Sequence, residues 1–398
     1  MKFKEYLIAA LIDEIAMGPF GSNIKVSCFV DSGVPVLNGS NLDGFSLSES
    51  SFRYVTPEKA DSLKKAIAHR GDIVITHRGT LGQIVYIPQS SKHDKYVISQ
   101  SQFRVRCNDK VLPEYLVYYF HTPIGQHKLL SNASQVGVPA LARPSSTFQQ
   151  IQVCLPEVSE QRKVVSIVNA IQDRIANNVA INDNLYAQAK AIFDDHFINI
   201  DAIPAGWRKG NLLGIANYLN GLAMQKFRPQ RNEIGLPVLK IKELRQGSCD
   251  DSSELCSLSI KPEYIIHDGD VIFSWSGSLL VDIWCGGICG LNQHLFKVTS
   301  DVYDKWFYYL WTAHHLARFI AIAADKATTM GHIKREELAK AEVLIPCEKD
   351  YTSLNSIMQP IFELIISNRI ESRKLAALRD ELLPKLMSGE VDVSAVQL

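Results

Sequence analysis

The sequence predicts an α+β protein: two similar α+β units separated by two long helices that form an antiparallel coiled coil, in a pseudo-twofold arrangement. Three observations carry this. From Val153 and Val343 onward the chain repeats itself at a constant offset of 190 residues without a gap, pairing Pro156 with Pro346, Ile171 with Ile361, Asn178 with Asn368 and Ala187 with Ala377. Upstream the repeat continues with small length differences, as Gly33-Val-Pro-Val-Leu37 against Gly235-Leu-Pro-Val-Leu239 and Gly71-Asp-Ile-Val-Ile75 against Gly269-Asp-Val-Ile-Phe273. Within each copy the pattern changes from short β-rich runs to one long helical seam.

Residues 1–155 form the first unit. Val34–Leu37, Asp72–Ile75, Gln83–Ile87 and Phe103–Arg106 read as strands, because β-branched and aromatic residues stand between turn formers. Pro113–Phe120 reads as a helix whose tyrosines and phenylalanine pack in the core. Residues 156–203 are the central helix. Its apolar positions step by four and three through Val164, Val168, Ile171, Ile175, Asn178, Asn182, Leu185, Ala189 and Ile192, which is a heptad seam. The second unit, 204–345, repeats the strands at Val238–Ile241, Asp270–Phe273 and Leu295–Val298 and the helix at Lys305–Leu310. In the C-terminal helix, 346–390, the seam recurs as Leu354, Met358, Ile361, Ile365, Asn368, Ser372, Leu375, Arg379 and Leu382, before a tail at 391–398.

Each seam spans about 35 residues, roughly 50 Å at 1.5 Å per residue, and the simplest partner of each helix is the other. Packing of each helix on its own unit stays open as the alternative. Both seams turn polar at the same central place, so in an antiparallel pair Asn178 and Asn182 meet Asn368 and Ser372, fixing register. Pro360 is expected to start the second helix late or bend it, and Pro384 with Gly389 to end it.

A chain of 398 residues with 46% apolar and 21% charged residues holds two or more soluble domains and is not disordered. It has no run of eighteen apolar residues, and Met1-Lys-Phe-Lys-Glu5 is charged where a signal peptide would be apolar. A cytoplasmic location without membrane partners follows as the expectation, with eight scattered cysteines as reduced thiols. Net charge is zero, but 1–155 holds 16 basic against 12 acidic residues and 204–345 holds 16 against 15, whereas the helical segments hold 4 against 7 and 6 against 8. The two globular units are therefore the basic part.

Phosphate-loop, dinucleotide-binding, zincin and nucleophile-elbow motifs are all missing, as is the Asn/Asp-Pro-Pro-Tyr string of amino-methyltransferases. This speaks against catalysis and against a resident cofactor. Cys285-Gly-Gly-Ile-Cys289 with Cys249 and Cys256 has irregular spacing and no counterpart in the first half, so a turn is preferred to a zinc site. Asp72 and Asp270 are read as capping a strand turn rather than as nuclease carboxylates.

The loops that follow the Gly-Asp strands carry a different chemistry. Thr76-His77-Arg78-Gly-Thr80 and Trp275-Ser276-Gly-Ser278 combine glycine, hydroxyls and, in the first copy, an arginine able to grip guanine; an ordinary hairpin turn is the alternative. Matched places add Ser22 and Lys25 opposite Lys226, Arg143 opposite Lys326, Thr328, His332 and Lys334, and Gln100 and Gln102 opposite Gln293 and His294. Amide and imidazole groups can read adenine edges. These nineteen residues are the DNA-binding candidates.

The chain resembles the specificity subunit of type I restriction-modification systems over nearly its whole length. The resemblance rests on the order of unit, helix, unit, helix, and on Gly18-Pro-Phe-Gly-Ser22, Gly71-Asp-Ile-Val74 with Arg78-Gly-Thr80, Leu291-Asn-Gln-His-Leu-Phe-Lys-Val298, Leu155-Pro-Glu157 with Glu160-Gln-Arg162, and Leu382-Leu-Pro-Lys-Leu-Met-Ser-Gly-Glu390. The second helix departs from it, since Cys347-Glu-Lys-Asp-Tyr351 replaces the Glu-Gln start. The resemblance implies a non-catalytic subunit with two target-recognition domains, each reading half of a bipartite site on double-stranded DNA. Two modification subunits carrying S-adenosylmethionine would dock on the helices that set the gap, and ATP-driven restriction subunits would join them. A type II specificity subunit with a fused nuclease-methyltransferase partner, an enzyme with an unrecognised site and a protein-binding adaptor remain as alternatives.

Overall fold

The computed structural model describes residues 1–134, 137–325 and 333–397, with the side chains of Ser22 and Asp325 outside that description. It divides into two compact units, residues 1–172 with 377–398, and residues 173–376.

In the first unit, strands β1 (Ile12–Met17), β2 (Ile73–Thr76), β3 (Ile84–Tyr86) and β4 (Gln102–Cys107) form an antiparallel sheet in the order β1-β4-β2-β3. A second sheet orders Phe29–Val30, Arg53–Val55, Val34–Val36, Lys95–Val97 and Ile67–His69, with Val36 and Val97 paired in parallel. Lys4–Leu7 pairs with Gln152–Leu155, closing the unit across 150 residues of sequence. Helix α1 (Pro113–His121) buries Tyr115, Tyr118, Tyr119 and Phe120 in the core, as the sequence predicts. Against it pack Val164, Val165 and Val168 from the first half of α2 (Val158–Phe193), and Leu383, Leu386 and Met387 from the end of the last helix.

The second unit has the same plan. Strands β5 (Asn217–Asn220), β6 (Val271–Ser274), β7 (Leu280–Ile283) and β8 (Leu295–Thr299) are ordered β5-β8-β6-β7, and a second sheet orders Leu255–Cys256, Leu236–Leu239, Cys289–Leu291 and Ile265–Ile266. Val238–Leu239 and Gly290–Leu291 repeat the parallel pairing, and Arg208–Asn211 with Glu342–Ile345 repeats the closing pair. Helix α3 (Lys305–His314) buries Trp306, Phe307 and Trp311.

Inside this unit the second half of α2 runs antiparallel to the first part of α4 (Glu348–Ser388), since Arg174 binds Glu371 at 2.9 Å whereas Asn182 binds Ile365 O at 3.2 Å. The polar centres meet. Asn178 Nδ2 donates to Glu371 Oε2 at 2.8 Å and Ser372 Oγ at 3.2 Å, and Asn368 Nδ2 donates to Asn182 Oδ1 at 2.9 Å. This register satisfies the amide donors of Asn178, Asn182 and Asn368, while Asn178 Oδ1 stays buried without a partner.

Two expectations about α4 are corrected. It starts at Glu348 and continues through Pro360. Proline removes one N–H and frees the carbonyl four residues earlier, but Ser356 and Pro360 are both exposed, so that carbonyl meets water. Pro384 also lies within the helix, which ends at Gly389 in a left-handed conformation, φ +79°.

The helix starts differ in chemistry but not in function. Gln161, fully buried, accepts from Leu112 N at 2.9 Å and donates to Lys110 O at 3.1 Å and Pro156 O at 3.0 Å. Leu112 is the residue that caps α1. At the matching place Tyr351 Oη accepts from Asp304 N, the cap of α3, at 2.7 Å and donates to Asp304 Oδ2 at 3.0 Å. A phenol replaces the Glu-Gln start and ties the same joint.

Candidate nucleic-acid interface

Each unit builds its site from the ends of its central strands. The Gly-Asp turn sets the strand: Asp72 Oδ2 accepts from His69 N at 2.9 Å and Asp270 Oδ2 from His267 N at 2.8 Å, after Gly71 and Gly269 at φ +85° and +88°. Both aspartates are also paired, Asp72 with Arg106 at 2.9 Å and Arg104 at 3.5 Å, and Asp270 with Lys297 at 2.8 Å. These carboxylates cap a strand turn, as read from the sequence, and their ion pairs also hold strands together.

In the first unit four loops meet beyond the strand ends. Gly18 N donates to Gln102 O at 2.8 Å, His77 N to Ser101 O at 2.8 Å, Leu141 N to His77 O at 2.8 Å and Gly79 N to Pro139 O at 2.9 Å. A Cβ on Gly18 would lie 1.9 Å from Ser99 O, so only glycine permits that approach. The second unit repeats the knot. Gly221 N donates to Leu295 O at 3.0 Å, Trp275 N to His294 O at 3.4 Å and Ile333 N to Trp275 O at 3.0 Å, and a Cβ on Gly221 would lie 2.2 Å from Asn292 O.

Main chain thus holds the loops, leaving side chains available. Lys25, Arg78, Thr80, Gln100 and Arg143 are exposed in the first unit, and Lys226, Ser278 and Lys334 in the second. His77 is half-buried with Nε2 donating to Gln100 O at 3.1 Å, and burial holds its imidazole below the usual histidine range. It is neutral at pH 7 and its Nδ1 is an acceptor. Trp275 donates to Asn220 Oδ1 at 3.0 Å and lies beside His294 and Phe296. Gln293 Nε2 lies 3.3 Å from His294 Nε2, and His294 Nδ1 lies 3.0 Å from Ser276 Oγ.

Three candidates turn inward instead. Thr76 is buried with Oγ1 on Gln83 Oε1 at 3.0 Å, Gln102 is buried with Oε1 on Ser99 N at 2.8 Å, and Ser276 is buried against His294. Their polar groups are spent on the frame, because side-chain direction at a strand end follows the pleat, and the pleat register was not legible in the motif. Lys326, Thr328 and His332 lie outside the described residues, as does the Ser22 side chain. Gln83 and Asn220, which orient Thr76 and Trp275, carried no sequence signal. Cys249, Cys256, Cys285 and Cys289 are free thiols, and among the described residues no three metal-ligating groups converge.

The family model described as type I restriction modification DNA specificity domain matches residues 23–187, a span that holds all of the first unit's loop knot except the Gly18 loop, and most of α2. Over most of its length the chain is similar to type I restriction-modification specificity subunits. It is 25% identical over 373 residues to the type I restriction enzyme MjaIX specificity subunit of Methanocaldococcus jannaschii, covering 86% of this chain and 82% of that one. To the HindI specificity subunit of Haemophilus influenzae it is 19% identical over 415 residues, covering 82% and 88%. A crystal structure of a type I S subunit from M. genitalium shares the fold, with a TM-score of 0.59 at 12% identity over 97% of this chain and 96% of that one.

Proposed function

We propose that this specificity subunit reads an asymmetric two-part site on double-stranded DNA, one part with each loop knot, and that α2 and α4 set the unread gap. The observation that carries this is the knot itself: the same backbone hydrogen bonds recur in both units, while Arg78 stands where the other unit has Ser276, and His77 where it has Trp275. A shared frame with unlike side chains suits two unlike half-sites. With most strand cations paired to Asp72, Glu14 and Asp270, the loop cations Lys25, Arg78, Arg143, Lys226 and Lys334 are left for phosphate and base contacts. Helix α2, at 36 residues, is about 54 Å long, on the order of 15 base pairs of 3.4 Å.

Catalysis would belong to partners: two modification subunits that bind S-adenosylmethionine and methylate adenine, docked on the helices, and ATP-dependent restriction subunits joined to that core. The setting would be the cytoplasm. No helix among the described residues is long and apolar enough to cross a membrane. Methylation-sensitive sequencing of host DNA with and without the gene tests the proposal. A two-part modified motif with a fixed gap that vanishes with the gene is expected; a contiguous motif or an unchanged methylome refutes it.

A further inference from the structure

The first unit contains a cleft of about 610 Å³ lined by His127, Lys128, Asn132, Arg143, Gln150 and Gln152, among others. No lining residue is acidic. It adjoins the loop knot through Arg143, which holds a left-handed conformation at φ +47°, a state that is strained for a non-glycine residue. Lys128 is fixed as well: its Nζ donates to Gln152 O at 2.7 Å and lies 5.8 Å from the centre of the Tyr119 ring. Two ammonium protons remain for another acceptor. The hydroxyls of the cleft are already committed, since Ser131 donates to Lys128 O, Ser146 to Arg143 O and Thr147 to Ala142 O. Donors facing the space are therefore the Lys128 ammonium, the Arg143 guanidinium, the His127 ring and the Asn132 and Gln150 amides. The cleft is thus lined by two cations, of which the Lys128 ammonium is held in place by Gln152 O and the Tyr119 ring.

Among the described residues, the corresponding region of the second unit carries carboxylates. There Glu342 stands where the first unit has Gln152, its carbonyl accepts from His315 at 2.8 Å, and Arg318 lies 3.7 Å from Glu337, which pairs with Lys340 at 3.3 Å. The cation has its carboxylate already.

We propose that the cleft binds one backbone phosphate of DNA outside the bases read by the first unit, so that the footprint extends farther on that half-site than on the other. The inference rests on the DNA-reading function above. The phosphate-binding groups would be Lys128 and Arg143, with His127 and Asn132 as further donors. Contact with the phosphate would position the duplex and carry no base preference.

The test uses the whole chain in its native complex and duplexes carrying its mapped motif, with a neutral methylphosphonate placed one position at a time along each flank. For the wild type, one flanking position on the first unit's side should weaken binding several-fold and lower the slope of log K against log salt by about 1. Lys128→Met should produce the same loss and slope change on unmodified DNA, and no further loss with the methylphosphonate at that position. Arg143→Gly guards against misfolding, because glycine tolerates φ +47°: its thermal midpoint should hold or rise while its salt slope falls. A wild type insensitive to every flanking methylphosphonate, or variants whose slopes are unchanged, would overturn the cleft alone. A wild type without salt-dependent preference for the motif would overturn the DNA-reading function itself.

Discussion

Replacing Gln161 with methionine removes three hydrogen bonds at nearly constant volume, and the loss should fall on the first unit alone. The Leu112 N–H becomes a buried donor without an acceptor, at about 1–3 kcal/mol. The carbonyls of Lys110 and Pro156 lose their Nε2 partner but keep a second lone pair, and added apolar burial offsets part of that. A net cost of about 3 kcal/mol is expected. For a unit of about 190 residues that lowers its melting transition by about 6–12 °C. Tyr351→Phe removes one accepted and one donated bond at the other joint, and Asp304 stays half-exposed to water, so about 1.5 kcal/mol is expected there. Hydrogen exchange locates each effect. Gln161→Met should deprotect the first turn of α1 and leave α3 unchanged, and Tyr351→Phe the reverse. Equal deprotection of both helices by either variant would refute the claim that these residues clamp their own unit's helix.

Arg78→Ala should relax methylation at one position of one half-site by about 1–3 kcal/mol of discrimination, read from the methylated motif; an equal loss at both half-sites would contradict the division of reading. Four residues inserted in α2 after Asn178 should change the preferred gap and leave both half-sites alone, as shown by sequencing the modified sites. Gly18→Ala should drive a Cβ into Ser99 O and abolish reading of the first half-site, measured by half-site-specific methylation, with the second kept. Stability should fall as pH drops below about 6.5. His77, His121, His314 and His315 are held below that ordinary value, burial being the largest cause for each. The unfolded chain then binds protons that the folded one refuses, so stability is full above pH 6.5 and is lost toward the folded-state pKa values. Thermal melts between pH 7.5 and 5 should show this, and His121→Gln, which keeps a donor near Ile84 O, should flatten the curve.

Periodicity made the helices legible. The residues counted into the seam, from Val164 to Ala189 and from Leu354 to Asn368, are buried or half-buried as one stripe, because a heptad repeat is a local property. Ile12–Met17, Asn217–Asn220 and Leu280–Ile283 were missed, whereas seven strands were found for the same reason. Their partners were not: the parallel pairing of Val36 with Val97 joins residues sixty apart, and Lys4–Leu7 pairs with Gln152–Leu155. Neither pairing leaves a mark on its own neighbours in sequence. Pro360 misled because a proline's effect depends on whether the freed carbonyl faces water. Thr76, Gln102 and Ser276 misled because a hydroxyl or amide looks the same in sequence whether it faces solvent or satisfies a frame. Lys128 gave no signal at all, since its role depends on Gln152 and Tyr119 fixing it.

The loops of each knot are held by N–H and C=O groups that every residue except proline supplies in full. Side chains there can change with little penalty in stability, so new specificities need not pass through unstable intermediates. Because the central four-stranded sheets of the two units share one strand order, a loop set that works on one frame fits the geometry of the other. A lineage holding n loop sets could then form on the order of n² two-part sites, an alphabet that grows by multiplication while the scaffold stays fixed.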